Sequence, residues 1–370
     1  MNNEILQIIS AGINKNPQKV INYSKRLSAY YKDNGNQRFS QKIDKLLDES
    51  NLNTVSLDSL KVKPFDKDSH LDIVDVKIPT LFNDNKNLYF SQSVEEEVED
   101  FIQSYRLRNK LMDQNIYFNN NLLLYGPPGS GKTSLATYIS NKTNLPLITA
   151  KLDSIVSSLL GSTAKNIRKL FEYADSQPCI LFLDEFDVLA KNRDDSHELG
   201  ELKRVVNSLL QNIDSFSNSS ILIAATNTPS LLDNAVWRRF DTKIELKLPD
   251  RMIRKELVRE YLSDFSNNII SNDKQMDILC DIFEGETPAN IQNIIVSAIK
   301  KCIIHNKNSV LFTDILYECL IHKYGSHLEY SNSVLYLRNY GVTQKDISET
   351  LDISVRQVRN VLKEEINNAK

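Results

Sequence analysis

Eight consecutive residues, Gly126-Pro127-Pro128-Gly129-Ser130-Gly131-Lys132-Thr133, hold the densest chemistry in the chain. They follow the apolar run Leu122-Leu123-Leu124-Tyr125 and lead into a stretch of helical periodicity, giving the order strand, glycine-rich loop, helix. In that order, backbone N–H groups and the positive end of the helix surround phosphate oxygens. The glycines let the backbone approach those oxygens with no Cβ in the way. Lys132 brings a positive charge to the β and γ phosphates, the Thr133 hydroxyl can ligate Mg²⁺, and Ser134 continues the opening turn of the helix. The expected ligands are ATP and Mg²⁺. Only 10 of 370 residues are glycine, where average usage would give about 26. Three within six positions are therefore a local requirement.

A hydrolase needs a second element to hold the metal and prepare water. Cys179-Ile180-Leu181-Phe182-Leu183 reads as a buried strand that ends in Asp184-Glu185-Phe186-Asp187. Asp184 is expected to hold Mg²⁺ through its water shell, and Glu185 to orient or deprotonate the attacking water. A third apolar run, Ile221 to Ala225, ends in Thr226-Asn227, and the Asn227 amide suits the attacking water or the γ phosphate. Further on, Trp237-Arg238-Arg239-Phe240-Asp241 sets two arginines before another strand. Guanidinium groups stabilise the charge that spreads over a transferred phosphoryl group.

These residues need a scaffold that presents several strand ends. The strand-like segments 122–125, 146–150, 180–183, 221–225 and 243–248 alternate with helical periodicity near 133–143, 163–176 and 199–215. That alternation predicts an α/β fold, a parallel sheet covered on both faces, over residues 94–249. A helix is expected from about Val94 to Asp113. Beyond Pro249 the strands stop, and helices near 251–265, 273–283, 288–305 and 311–323 predict a helical domain over 250–325. Residues 1–50 read as a small helical domain, and 51–93 as an irregular linker with a short strand at Leu71–Val76.

Composition excludes several classes. With 41% hydrophobic and 25% charged residues the chain is ordinary for a folded protein of two or three domains. A net charge of −3 gives no global pull toward nucleic acid or an anionic membrane. No apolar run approaches the length of a membrane span, and the start lacks the pattern of a signal peptide, so a cytoplasmic location is expected. Four scattered cysteines form no CxxC pair and read as buried thiols.

GPPGSGKT, ILFLDEFD, IAATN and WRRFD, in this order and spacing, resemble the AAA family within the AAA+ ATPases over about Val94 to Lys323. The resemblance implies a P-loop αβα three-layer ATPase domain with strand order 5-1-4-3-2 and a helical lid. It implies that Asn227 senses the γ phosphate. It also implies that Arg238 and Arg239 act as fingers on ATP in an adjacent subunit, within a homo-oligomeric ring, usually a hexamer. Without an insertion between the arginines, WRRF is similar to the microtubule-severing and Vps4-like branch. Gly285-Glu286-Thr287-Pro288-Ala289-Asn290 stands where the family reads GxSGAD, so no sensor arginine opens that helix. Where the family's pore loop carries an aromatic, this chain has Leu159-Leu160-Gly161; a second pore candidate is Lys191 to His197. The work implied is remodelling, unfolding or delivering a protein client, with a separately encoded protease as one partner.

Residues 326–370 exceed that resemblance. Ile347, Leu351, Ile353, Val358 and Val361, with a turn at Asp352-Ile353-Ser354, fit two short helices packed as a helix-turn-helix. The second would carry Arg356, Arg359 and Lys363 before any acid, which suits phosphates or base edges of DNA. Residues 343–370 nonetheless hold five basic and five acidic side chains, so one copy would bind weakly and a ring would bind through avidity. A DNA-bound ATP switch is the alternative function.

Overall fold

The structure is a computed structural model. It describes residues 74–79, 88–116, 118–152, 160–187, 199–325 and 329–368, together with 23–24, 27–28, 30–31, 40 and 42–43. Among the described residues six strands form one sheet: β1 (Asp75–Lys77), β2 (Asn121–Tyr125), β3 (Leu147–Lys151), β4 (Ile180–Asp184), β5 (Ile221–Thr226) and β6 (Thr242–Glu245). Their order is β1-β3-β4-β5-β2-β6. Numbered from the strand that feeds the glycine loop, the last five read 5-1-4-3-2 from the β6 edge, which is the order the resemblance implied. The chain divides into two compact units.

The first unit comprises Met1–Leu81, Tyr117–Asn121 and Thr137–Ala224. Here β3 and β4 run parallel, Leu147 beside Ile180 through Lys151 beside Asp184, and β4 runs parallel to β5. Ile180 to Leu183 are all buried, as expected of a parallel strand covered on both faces. The covering helices α4 (Leu160–Ala174) and α5 (Leu199–Ser215) bury one stripe each, Ile167, Leu170 and Phe171 on the first and Leu209 and Ile213 on the second. The edge strand β1 is antiparallel, pairing Asp75 with Thr149 and Lys77 with Leu147, and residues 71–73 of the expected strand lie outside the described residues. Helix α4 begins three residues earlier than periodicity suggested, so Leu160 and Gly161 lie in its first turn. Leu159 and the segment Lys191 to His197 lie outside the described residues, as does most of 1–50. Among the described positions of that N-terminal stretch, Ser28 and Ser40 are buried with their hydroxyls 3.0 Å apart.

The second unit comprises Phe82–Ile116, Leu122–Ala136 and Ala225–Lys370. In it β2 and β6 run parallel, from Leu122 beside Thr242 to Tyr125 beside Glu245. Helix α1 (Gln92–Arg106) buries Val94, Val98, Phe101, Ile102 and Tyr105, a single helical stripe. The expected helix to Asp113 is broken at Leu107, and α2 (Arg108–Asp113) follows. The Arg108 guanidinium donates to the Tyr105 carbonyl at 3.1 Å and lies over the Tyr105 ring, taking an acceptor that a continuous helix would use. Helix α3 (Lys132–Thr143) opens from the glycine loop and passes into the first unit.

Beyond Pro249 come α7 (Arg251–Ser263), α8 (Asp273–Ile282), α9 (Pro288–Ile304) and α10 (Phe312–Tyr324), preceded near 234–237 by the one-turn helix α6 (Asn234–Trp237). Side-chain caps fix three of these starts: Asp250 accepts from the Ile253 N–H, Asn272 from Gln275 and Thr287 from Asn290. Buried Arg254 donates to the Cys280 and Pro249 carbonyls, both at 2.8 Å, tying α7 to α8 and to the end of the sheet chain. Three more helices follow: α11 (Tyr330–Asn339), which the sequence reading did not anticipate, α12 (Gln344–Leu351) and α13 (Val355–Asn368). Val334, Leu337, Ile347, Val358 and Val361 lie in one continuous buried cluster with Val258, Phe283, Ile295 and Leu316. The terminal helices thus share their core with α7 to α10. Among the described residues no helix is long and apolar enough to cross a membrane.

A candidate nucleotide-binding site

Gly126 to Gly131 turn sharply between β2 and α3. Gly126 has φ +149°, and a Cβ there would lie 2.2 Å from the Leu246 carbonyl oxygen, because the chain leaving β6 crosses directly over the loop. Gly129 has φ +76°, and its Cβ would meet Thr287 Oγ1 at 2.9 Å and Ala289 Cβ at 3.0 Å. Only glycine satisfies both the backbone conformation and the space at these two positions. The Ala289 N–H donates to the Gly129 carbonyl, so the first turn of α9 rests on the loop.

Lys132 is 7% exposed. Its ammonium donates to the Gly126 carbonyl at 2.8 Å and the Pro127 carbonyl at 2.9 Å, with Ser130 Oγ at 3.5 Å. The loop's own carbonyls therefore hold this charge at the centre of the turn. Thr133 and Ser134 follow in the first turn of α3, on its exposed side. A cradle that keeps Cβ atoms out, surrounds one buried ammonium and opens a helix fits a polyphosphate. The Thr133 hydroxyl and the Asp184 carboxylate are the hard oxygen donors that Mg²⁺ prefers.

Asp184 is the last residue of β4, and its carboxylate accepts the Glu185 N–H at 2.9 Å. Glu185 has φ +57°. The other described non-glycine residues at positive φ are Asn115, Asn144, Asn306 and Asp352, the residue types that tolerate this region. Glutamate does not, so the turn after β4 stores strain of about 1–2 kcal/mol at the residue assigned to water. Nothing in the sequence pattern signalled this.

Asn227 is exposed immediately after β5, in a turn where the Thr228 N–H donates to Thr226 Oγ1 at 3.1 Å. Asp233 caps α6, and Arg238 and Arg239 follow it. Arg238 is exposed. Arg239 is half-buried, its guanidinium donating to the Ala235 carbonyl at 2.7 Å. Trp237 packs edge-on against Tyr125, ring centres 5.4 Å apart, so the arginine pair is anchored to the strand that feeds the phosphate loop. Tyr125, Trp237, Thr287, Ala289 and Leu246 shape the loop and its surroundings, a role that the motifs alone do not give them. Their link is a long-range contact, which local spacing does not encode.

Residues 122–248 match the model of the ATPase family associated with various cellular activities (AAA). The chain carries an AAA ATPase domain. Its AAA relatives include an uncharacterized AAA family ATPase of Sinorhizobium fredii, 40% identical over 210 residues, which are 56% of this chain and 62% of that protein. The ATP-dependent zinc metalloprotease FtsH of Clostridium perfringens is 31% identical over 59% of this chain and 30% of its own length. A proteasome-activating nucleotidase of Saccharolobus solfataricus is 35% identical over 53% of this chain and 51% of its own. The chain thus spans less than two thirds of each of these relatives. Among solved structures, the FIGL-1 AAA domain in complex with ADP superposes with a TM-score of 0.56 at 19% identity, covering 75% of this chain and 97% of that one, which shows a common fold.

Proposed function

We propose that the chain binds and hydrolyses ATP with Mg²⁺, assembles with further copies of itself, as a hexamer by preference, and applies the cycle to a protein client. The observation that carries this reading is the buried Lys132 ammonium inside the Gly126–Gly131 turn, with a strained Glu185 following Asp184 in a separate stretch of chain. In this reading Lys132 and the loop N–H groups hold the phosphates, and Thr133 and Asp184 hold the metal. Glu185 takes a proton from water, and Asn227 keeps that water and the γ phosphate in register. Arg238 and Arg239 neutralise charge on the phosphoryl group of an adjacent copy. Mg²⁺, when bound, supplies neutralisation of the β and γ oxygens.

The protein client is supported by relatives whose names describe proteasome activation and ATP-dependent proteolysis. A cytoplasmic location belongs to the same reading, and four free, buried cysteines suit a reducing compartment. A second contact, to DNA through Arg356, Arg359 and Lys363, has its own support in the terminal helices.

The test is phosphate release by the purified chain. Lys132→Ala is expected to lose nucleotide binding. Glu185→Gln is expected to bind ATP and stop turning over, so that its ATP-bound form retains the client in co-purification. Normal turnover by Glu185→Gln sinks the assignment.

A further inference from the structure

We infer that α11, α12 and α13 form a duplex-DNA-binding module in which α13 enters the major groove. The inference stands apart from ATP turnover.

The local geometry is that of a helix-turn-helix with a supporting third helix. Thr343 caps α12, accepting the Asp346 N–H, and Asp352 ends it in the left-handed conformation at φ +51°. The turn is then fastened twice, by the Ser348 hydroxyl to the Ile353 carbonyl at 2.6 Å and the Ile353 N–H to the Ser348 carbonyl at 3.1 Å. Ser354 and Gln357 make a reciprocal capping box at the start of α13, the Gln357 N–H donating to Ser354 Oγ and the Ser354 N–H to Gln357 Oε1. Ile347, Val358 and Val361 turn inward with Val334 and Leu337 of α11. The fixed turn and the buried face together leave one side of α13 to solvent.

That side carries Arg356, Arg359, Asn360 and Lys363, all exposed and spaced i, i+3, i+4 and i+7. Arginine and asparagine are the side chains that read guanine and adenine edges bidentately, and lysine meets phosphate. The first acids along α13 are Glu364 and Glu365, beyond the N-terminal turns that a recognition helix inserts. Arg359 already donates its Nε–H to Gln344 Oε1 of α12 at 3.1 Å, which ties this stripe to the neighbouring helix. A module meant to dock on a protein would leave apolar side chains on this stripe. Here every member is a hydrogen-bond donor.

The experiment is fluorescence anisotropy of a labelled double-stranded DNA of random sequence titrated with the full chain at several salt concentrations. The expected result is binding that weakens as salt rises, out-competing single-stranded DNA of the same composition. Arg356→Ala, which removes an exposed side chain, weakens it about tenfold or more, and Arg356→Ala with Arg359→Ala lowers the salt slope by about one to two. Glu364→Gln, which removes the acid beside the stripe, tightens it. Failure of the unaltered chain to retain duplex at low salt overturns the proposal. So does wild-type binding by Arg356→Ala protein that keeps its melting temperature and circular dichroism.

Discussion

The backbone N–H of Ala289 donates to the carbonyl of Gly129 across 3.3 Å, so helix α9 is hydrogen-bonded to the loop that shapes the phosphate cradle. The helices that follow the sheet are therefore joined to the loop through backbone atoms.

The glycines of that loop should not respond alike to alanine. Gly126→Ala places a methyl 2.2 Å from the Leu246 carbonyl oxygen, which belongs to backbone and cannot rotate away. Gly129→Ala meets the Thr287 side chain and the Ala289 methyl, which can shift by tenths of an ångström. Gly131→Ala meets the Phe90 ring at 3.6 Å, ordinary contact, and leaves only the strain of φ +101°. The expected losses are about 3 kcal/mol or more for the first and about 1–2 kcal/mol for the last, with Gly129→Ala between. Melting temperatures should fall in that order; equal losses would mean that the Leu246 and Thr287 contacts are not what fixes the turn.

Glu185 invites a substitution that separates stability from chemistry. Glu185→Gly removes the left-handed strain and is expected to stabilise the chain by about 1 kcal/mol while removing ATP turnover. Glu185→Gln keeps the strain and should melt near wild type. A Glu185→Gly protein that melts lower than wild type would contradict the strained turn.

The two arginines differ in what holds them. Arg238→Ala deletes an exposed side chain and should leave melting unchanged, whereas Arg239→Ala also loses a 2.7 Å bond to the Ala235 carbonyl and should cost about 1 kcal/mol. Both should lower turnover if they act on a neighbouring copy. Mixing Arg239→Ala with Glu185→Gln protein should then restore some phosphate release, because one mixed interface has both working parts. A mixture as inactive as its components would place the arginine in its own subunit's site.

The thiols predict a pH dependence. Burial pushes Cys179 and Cys319 up to about 12, and burial together with the neighbouring Asp314 carboxylate takes Cys302 to about 11. Iodoacetamide at about pH 8 should leave the native chain unlabelled and modify four cysteines after denaturation. Because the folded-state values are raised, unfolded thiols, near 8.5, ionise first. Their contribution to stability is complete below that pH and is lost as pH climbs toward 12, so melting temperature should drop between about pH 8 and 10. A flat profile with native labelling would show that the thiols are open to water.

The alternation of apolar runs and helical stretches located five strands within about three residues at either end, because parallel strands buried on both faces are continuous Leu, Ile and Phe runs with little else to mean. That Lys132 opens the helix after β2 and that Asp184 ends β4 with Glu185 next was legible for a different reason, their fixed distance from apolar runs. Helix α11 escaped because its buried residues are only Ser333, Val334 and Leu337, too few to print a period among the tyrosines of 330–340. The break at Leu107 escaped because it depends on where one arginine side chain folds. The antiparallel edge of β1, the backward φ of Glu185 and the seat of Ala289 on Gly129 are tertiary facts, and no local spacing carries them.

The buried cluster from α7 to α13 has a mechanical reading. Interiors this tightly filled do not slide, since separating Leu316 and Ile295 from Val358 and Ile347 would open voids on both sides. Helices α7 to α10 and the terminal helices are therefore one packed body. Since Ala289 of α9 is hydrogen-bonded to Gly129, the phosphate loop and the helix that carries Arg356 are attached to one and the same packed body.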